Sequence, residues 1–299
     1  MDFKKDADVK NSKATIGIIA NVDKQEVLNI LPDFLKWLSA RNVNFIISEV
    51  VADKVMHKYE NCREQSKIPD ESDVILSFGG DGTFLRTARL VAPREVPIVG
   101  INLGTFGYLA EVILSDLYLK MDQLLSGDYS IQERMMIEIS LESIERTISP
   151  AMGLNDLVVD KGGHPRTILL ETYVNGEFLN IFKADGLIVS TPTGSTGYSL
   201  SAGGPILEPN TKLMIVNPIC PHMLANRPLV ISPDSVVRIS VENDLYDTSV
   251  AVDGQNYLIL KSGEYIYVKQ ASCVTKVVVF SDYSFFALLR NKLQWKMQS

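Results

Sequence analysis

The sequence is poor in cysteine and histidine, with three of each among 299 residues. Cys62, Cys220 and Cys273 are odd in number and far apart, so no disulfide framework is expected and a reducing compartment fits best. None of the histidines has the spacing of a metal-ligand motif, which excludes the common zinc sites.

Long apolar runs and an excess of positive charge are also absent. No stretch approaches the roughly 20 apolar residues that span a bilayer, and residues 1–13 lack the apolar centre of a signal peptide. A net charge of −7 argues against a dedicated nucleic-acid-binding protein, whose binding surface is usually basic. We therefore expect a cytoplasmic protein with no nucleic-acid or membrane partner, and a flexible leader over residues 1–13.

The length of the chain predicts two domains, because 299 residues exceed the size at which a single hydrophobic core is common. In the first part, apolar runs alternate with helical patterns, which predicts an α/β domain with a parallel sheet over residues 14–127. We expect Pro32 to kink or split the first helix, predicted at residues 25–40. The predicted strands are residues 15–21, 44–51, 74–78 and 97–102.

The pattern changes near residue 127, after which short β-rich runs follow one another. Their crowding predicts a β-sandwich domain over residues 128–275. Asn175-Gly176 predicts a hairpin turn. The runs at 265–269 and 276–280 predict two separate strands. In the final segment, residues 276–299, we expect a helix at 285–295 to pack back on the α/β domain.

The most informative stretch is Ser77-Phe78-Gly79-Gly80-Asp81-Gly82-Thr83, where a predicted strand passes through glycines into a predicted helix. Backbone N–H groups at such a helix N-terminus bind anions, typically phosphate. Asp81 repels phosphate unless it binds a metal ion or takes a proton from a hydroxyl, so we interpret the turn as a phosphoryl-transfer site. The alternative is a tight turn in which Asp81 or Thr83 caps the helix.

Two further stretches suit the binding of a nucleotide. Asn155-Asp156 pairs an amide with an acid, which matches ribose hydroxyls, although such a pair alone usually marks only a turn. Residues 191–205 are rich in Gly, Ser and Thr, and Tyr198 among them offers a ring for stacking on a base. Asp185 is placed to accept a hydrogen bond from a ribose hydroxyl or a carboxamide. The alternative for residues 191–205 is a flexible linker.

Taken in order, the motifs at residues 79–83, 155–156 and 191–206 resemble those of the NAD kinases. The resemblance continues through Asp253-Gly-Gln255 to residues 282–284 and 292–295, so it covers nearly the whole chain after the leader. The glycine turn alone is shared with diacylglycerol and sphingosine kinases and with phosphofructokinases, whereas the long Thr-Pro-Thr-Gly-Ser-Thr loop is specific.

The resemblance implies an ATP-dependent NAD kinase of the bacterial type, which phosphorylates the 2′-hydroxyl of the adenosine ribose of NAD to give NADP. It implies Asp81 as the general base, Mg²⁺ or a similar divalent cation, a homodimer or homotetramer, and an active site between the two domains. No residue is assigned to the metal. Cofactor binding is expected at the glycine-turn residues Gly79, Gly80, Gly82 and Thr83 and at Asn155, Asp156, Arg166, Lys183, Asp185, Thr196, Gly197, Tyr198, Ser199, Ser201 and Gln255.

Two positions depart from the family pattern. Gly197 stands where alanine is common, and Gly107-Tyr108 stands where Gly-Phe is usual. Two rival functions remain open. One is a catalytically inactive NAD(H)-binding regulatory protein, and the other is a lipid or sugar kinase that shares only the glycine turn.

Overall fold

The computed structural model of the chain describes residues 14–55, 61–104, 107–223, 225–242 and 248–295. The predicted leader, residues 1–13, lies outside the described residues. The chain divides into two compact units. Unit 1 contains the described residues up to Glu133 and those from Thr275 onward, and unit 2 runs from Arg134 to Val274. Over the described ranges, no helix is long and apolar enough to cross a membrane.

Unit 1 contains a parallel sheet, as the alternating pattern predicts. Its strands are β1 (Thr15–Ala20), β2 (Asn44–Ser48), β3 (Cys62–Arg63), β4 (Val74–Gly79), β5 (Ile98–Asn102) and β6 (Val112–Ile113). The strand order is β3-β2-β1-β4-β5, with β6 beside the end of β5. In a sheet of this order, ligands bind beyond the carboxyl ends of the strands where the order reverses, which here is between β1 and β4.

The helices of unit 1 differ in part from the sequence-based predictions. Before the C-terminal segment, these are α1 (Gln25–Ala40), α2 (Glu49–Lys54), α3 (Asp81–Val91) and α4 (Leu117–Ser126). The prediction that Pro32 splits the first helix is wrong, because buried side chains on both sides of Pro32, from Val27 to Leu38, hold α1 to the core as one helix. The strand predicted over residues 44–51 ends at Ser48, whose hydroxyl accepts the Val51 N–H at 3.2 Å and so begins α2.

Unit 2 consists of two antiparallel sheets around a shared apolar core, as expected for a β-sandwich. Its strands are β7 (Ser130–Glu142), β8 (Ala151–Gly153), β9 (Asp156–Asp160), β10 (Ile168–Val174), β11 (Glu177–Ala184), β12 (Gly186–Ser190), β13 (Met214–Ile219), β14 (Leu229–Ile231), β15 (Val237–Val241), β16 (Thr248–Val252), β17 (Gln255–Leu260) and β18 (Tyr265–Val279). One short helix, α5, covers Tyr198–Ser201. One sheet has the order β11-β10-β15-β18, with β7 pairing β18 and β8, and the other has the order β14-β13-β12-β9-β16-β17.

The hairpin predicted at Asn175-Gly176 is confirmed, because both residues have positive φ, 53° and 81°, between the paired strands β10 and β11. The prediction of two strands at residues 265–269 and 276–280 is wrong. They form the single strand β18, in which Ala271 and Thr275 are buried, so the polar residues between the two apolar runs do not interrupt it. At its end, Val277 pairs with Ile98 of β5.

The C-terminal helix α6 (Phe285–Lys292) belongs to unit 1. Ser284 caps it by accepting the Ala287 N–H at 3.3 Å, and Leu288 is buried. Just before the helix, Asp282 accepts a hydrogen bond of 2.6 Å from the buried Lys120 ammonium on α4. The expectation that this segment packs back on the α/β domain is confirmed.

Candidate active site

The glycine turn of unit 1 lies where the strand order places a ligand site. Gly79 ends β4, Gly80 is the N-cap of α3, and Asp81 is the first helical residue. The Gly80 carbonyl accepts the N–H groups of Thr83 and Phe84 at 3.0 and 3.1 Å. No side chain among the described residues caps the helix, so the alternative of Asp81 or Thr83 as the cap is wrong.

The Asp81 carboxylate instead binds a distant backbone segment. Its Oδ2 accepts the N–H of Tyr108 at 2.9 Å, and its Oδ1 accepts those of Leu109 and Ala110 at 3.1 and 3.4 Å. Gly107 permits this approach, because a Cβ at that position would lie 2.0 Å from Asp81 Oδ1. A carboxylate accepts about four hydrogen bonds, so Asp81 is held in one orientation and keeps room for about one more donor.

Two lysines lie near this turn. The Lys24 Nζ lies 3.7 Å from where a Cβ on Gly80 would stand, which places a cation at the proposed phosphate site. The Lys292 Nζ lies 5.6 Å from the centroid of the Tyr108 ring, within the range of a cation–π contact. Burial, and then the charge of Asp81, raise the pKa of the Tyr108 hydroxyl.

In unit 2, Asp156 begins the central strand β9, Asn155 lies immediately before it, and Thr191 anchors the backbone of the residues that lead into the strand. The Thr191 N–H donates to the Asn155 carbonyl at 2.8 Å, and the Thr191 hydroxyl donates to the Leu154 carbonyl at 2.6 Å. Asp156 is only 4% exposed. Burial, and then the charge of Asp253, raise the pKa of the Asp156 carboxyl to about 7. Near neutral pH this side chain therefore both donates and accepts hydrogen bonds.

The Asn155 side chain has a spare acceptor. Its Oδ1 is buried without a hydrogen-bond partner among the residues that the structure describes, and such an atom normally finds a donor. A Cβ on Gly197 would lie 3.4 Å from Asn155 Nδ2 and 3.9 Å from Asp156 Oδ2. The structure thus brings the predicted residues 155, 156 and 197 together at one place.

The Gly-, Ser- and Thr-rich stretch at residues 191–205 is an ordered loop, so the linker alternative is wrong. The Ser195 hydroxyl donates to the Pro192 carbonyl at 2.6 Å and accepts the Leu207 N–H at 2.9 Å. Ser199 is fully buried and accepts the Asn217 side-chain amide at its carbonyl, at 2.9 Å. These bonds fix the shape of the loop beside Asn155.

Comparison with known proteins decides the family. A model of the ATP-NAD kinase N-terminal domain matches residues 16–129, and a model of the ATP-NAD kinase C-terminal domain matches residues 154–280. The chain belongs to the NAD kinase family. It is 41% identical to the NAD kinase of Geotalea daltonii over 94% of this chain and 98% of that protein. It is 42% identical to the NAD kinase of Moorella thermoacetica over 93% and 89% of the two chains.

Solved structures of NAD kinases and an NADH kinase share the fold. Yeast NADH kinase complexed with NADH superposes with a TM-score of 0.88 at 26% identity, over 100% of this chain and 94% of that one. The Archaeoglobus fulgidus NAD kinase in complex with ATP gives a TM-score of 0.72 at 24% identity, over 95% and 100% of the two chains. The second likeness supports the fold alone.

The other positions predicted from the NAD kinase pattern differ in their surroundings. Asp185 accepts a hydrogen bond of 2.7 Å from the Lys161 ammonium. Tyr198 is 47% exposed, which leaves its ring available for stacking. Thr196 donates to the Thr193 carbonyl at 3.1 Å. The remaining predicted side chains, all exposed, are those of Arg166, Lys183, Ser201 and Gln255. Within the described ranges, no hydrogen bond or ion pair joins the Arg166 side chain to another residue.

Sequence reasoning missed three parts of the site. Lys161, which pairs with Asp185, carries no local signal. The backbone of residues 108–110 binds Asp81 from across the unit, which no spacing reveals. The third is Asp253, whose carboxylate accepts the Asn155 N–H at 2.7 Å. The dipeptide Asp253-Gly254 between two β-rich runs signals a hairpin turn, but not this contact.

Proposed function

We propose that the chain transfers the terminal phosphoryl group of ATP to the 2′-hydroxyl of the adenosine ribose of NAD, giving NADP, with Asp81 as the general base. Membership of the NAD kinase family supports phosphorylation of NAD with ATP. The observation that carries the role of Asp81 is its fixed carboxylate at the N-terminus of α3, on the edge where the sheet order predicts a ligand.

Phosphoryl transfer requires mainly that reactants are positioned and charge is neutralised. In our proposal, one Asp81 oxygen accepts the proton of the 2′-hydroxyl while the ribose 2′-oxygen forms a bond to the γ-phosphorus. The bond from the γ-phosphorus to the bridging oxygen breaks, and ADP leaves. The N–H groups at the start of α3 and the Lys24 ammonium face the phosphate charge. The backbone bonds from residues 108–110 keep Asp81 aimed at the hydroxyl.

The unit 2 residues are proposed to bind NAD. The unpartnered Asn155 Oδ1 accepts a hydrogen bond from one ribose hydroxyl, and Asp156, with its raised pKa, both donates hydrogen bonds to the ribose and accepts them from it. NADH in the related yeast structure supports a nicotinamide dinucleotide as the ligand class. The wider set proposed to contact the nucleotides is Gly79, Gly80, Gly82, Thr83, Arg166, Lys183, Asp185, Thr196, Gly197, Tyr198, Ser199, Ser201 and Gln255.

A divalent cation would be bound together with ATP. Among the described residues, no group of three or more His, Cys, Asp or Glu side chains is placed to hold a metal ion. Mg²⁺ in kinases commonly keeps several waters and is bound by substrate phosphates with few protein ligands, which agrees with this arrangement. When bound, the cation would neutralise charge on the triphosphate. A homodimer or homotetramer and a cytoplasmic location stay predictions.

The direct test is to incubate the purified protein with NAD, ATP and Mg²⁺ and to measure NADP with an NADP-specific dehydrogenase. We expect NADP to accumulate and to depend on ATP. Binding of NAD without any NADP would instead indicate the inactive regulatory protein. Phosphorylation of a lipid or a sugar, with NAD untouched, would indicate the other rival.

A further inference from the structure

Asp253 lies in the two-residue turn between β16 and β17, where Val252 pairs with Gln255. Asp253 and Gly254 have positive φ, 49° and 72°, as a type I′ hairpin turn requires. Asp-Gly is a favoured pair for such a turn, so the turn by itself accounts for a small polar residue at position 253. It does not require a carboxylate.

The Asp253 carboxylate makes more contacts than the turn needs. It accepts the N–H of Leu154 at 3.1 Å, that of Asn155 at 2.7 Å and that of Asp156 at 3.3 Å. The Asp253 N–H in turn donates to the Asp156 carbonyl at 3.0 Å. Asp253 is only 8% exposed, so these bonds form away from competing water.

The opposite side of the same segment is anchored by Thr191, which binds the Leu154 and Asn155 carbonyls. The backbone of residues 154–156 is thus held from two directions. Within the described chain, the Asn155 side-chain oxygen is left without a partner. The protein therefore fixes the backbone while leaving the Asn155 amide oxygen for another molecule.

We propose that Asp253 is a positioning residue for NAD, because its carboxylate fixes the backbone that presents Asn155 and Asp156 in one orientation. The inference rests on the proposed role of Asn155 and Asp156 in binding NAD. Asp253 itself acts through these two residues and makes no bond in the reaction. An asparagine at position 253 would suit the turn equally well but would offer only one acceptor oxygen.

The first test compares Asp253→Asn with a matched change in a second hairpin. Asn175→Asp alters a type I′ turn of the same unit, where Asn175 Oδ1 accepts the Val236 N–H at 2.9 Å and a carboxylate would also accept it. We expect Asp253→Asn to raise the dissociation constant for NAD about tenfold, the equivalent of one or two hydrogen bonds, and Asn175→Asp to change it less than about twofold. An NAD affinity of Asp253→Asn within twofold of the unaltered protein would overturn the proposal.

A double-mutant cycle separates positioning from general destabilisation. If Asp253 acts through Asn155, Asp253→Asn should weaken NAD binding at most about threefold in an Asn155→Ala background, because neighbouring residues of one network are non-additive. The full tenfold effect in both backgrounds would contradict the proposal.

The unaltered protein provides a test that does not depend on folding of the variant. The amide protons of Asn155 and Asp156 should exchange slowly with solvent before NAD is added, as the preformed bonds to Asp253 require. Exchange at the rate of an unprotected loop would overturn the proposal. NAD binding and NADP formation should be measured separately, so that failure of the proposed function can be distinguished from failure of the proposed role of Asp253. A protein that binds NAD without making NADP refutes the proposed function, but the role of Asp253 in NAD binding can still be tested.

Discussion

Unit 1 and unit 2 each contain an aspartate whose carboxylate accepts three consecutive backbone N–H groups. In unit 1, Asp81 binds residues 108–110, and in unit 2, Asp253 binds residues 154–156. The two arrangements differ in which partner has the proposed function, the carboxylate or the backbone segment that it binds. Asp81 is itself the proposed chemical group, whereas Asp253 holds the segment that carries the proposed binding residues.

The difference indicates how each unit is organised. In unit 1 the backbone positions the carboxylate, so the side chain that is held is also the one proposed to react. In unit 2 the Asp253 carboxylate positions the backbone. The charged side chain therefore has a structural role, and the neutral amide of Asn155 is the group proposed to bind the ligand. Changes in unit 1 should therefore lower turnover, and changes in unit 2 should weaken NAD binding.

The largest effect is expected for Asp81→Asn, which keeps the shape of the side chain but removes the proton acceptor and one of the two oxygens that accept the backbone N–H groups of residues 108–110. We expect kcat to fall about 10²- to 10⁴-fold, the usual contribution of a general base. The dissociation constant for NAD should change less than about threefold, because Asn155 and Asp156, the residues proposed to hold the ribose of NAD, lie in unit 2 and are unaltered. Steady-state kinetics and direct NAD titration check both values, and a near-normal kcat would refute the role of Asp81.

A smaller loss is expected for Gly107→Ala, which would place a methyl group 2.0 Å from Asp81 Oδ1. The carboxylate or residues 108–110 must then move, and loss of about one hydrogen bond predicts a kcat about tenfold lower. Gly104→Ala is the matched control, because among the described residues no atom outside its own chain neighbours lies within 4 Å of a Cβ built there. Equal kcat values for the two variants would show that the contact does not aim Asp81.

The raised pKa of Asp156 predicts a pH-dependent stability difference in unit 2. Between about pH 4, where an unfolded aspartate titrates, and about pH 7, the folded protein keeps a proton that the unfolded chain releases. The free energy of unfolding should therefore fall with rising pH over this range, relative to that of Asp156→Asn, and the difference should stay constant above it. Denaturant titrations from pH 4 to 8 check this, and a pH-independent difference would contradict it.

The smallest effect is expected for Gly197→Ala, which restores the residue common in the family. The backbone φ of −93° suits any residue, and the new methyl group would lie 3.2 Å from the Gly194 carbonyl oxygen and 3.4 Å from Asn155 Nδ2. A shift of a few tenths of an ångström relieves both contacts. We expect KM for NAD to change less than about threefold, which is below the usual net free energy of one hydrogen bond of about 1 kcal/mol. A tenfold rise would show that the pocket around Asn155 is rigid.

Some strands and turns could be predicted from the sequence, because the residues that determine them are close together in the chain. The apolar run that forms β4 and the Asn175-Gly176 turn each lie within a few residues, and both appear where expected. The helix α4 was missed although Leu117, Met121 and Leu124 recur at helical spacing and are buried. Ser48 followed by Glu49 is likewise a helix-start signal inside a stretch that looked like one strand.

The contacts that hold the site residues in place could not be predicted from local sequence patterns. Asp253 and Asn155 are separated by 98 positions, and Asp81 and Tyr108 by 27. Each contact depends on how strands are ordered in a sheet, which side-chain periodicity does not report. The residues proposed for the chemistry were predicted from their types and motifs, whereas the groups that hold them in place could be identified only from the fold.

The comparison is tested most directly by measuring kcat and the dissociation constant for NAD on Asp81→Asn and Asp253→Asn side by side. The two variants should lose different quantities. Asp81→Asn should lose at least about 100-fold in kcat and keep its NAD affinity, and Asp253→Asn should lose about tenfold in NAD affinity and keep most of its kcat at saturating NAD. Loss of the same quantity in both variants would contradict the division of roles between the two aspartates.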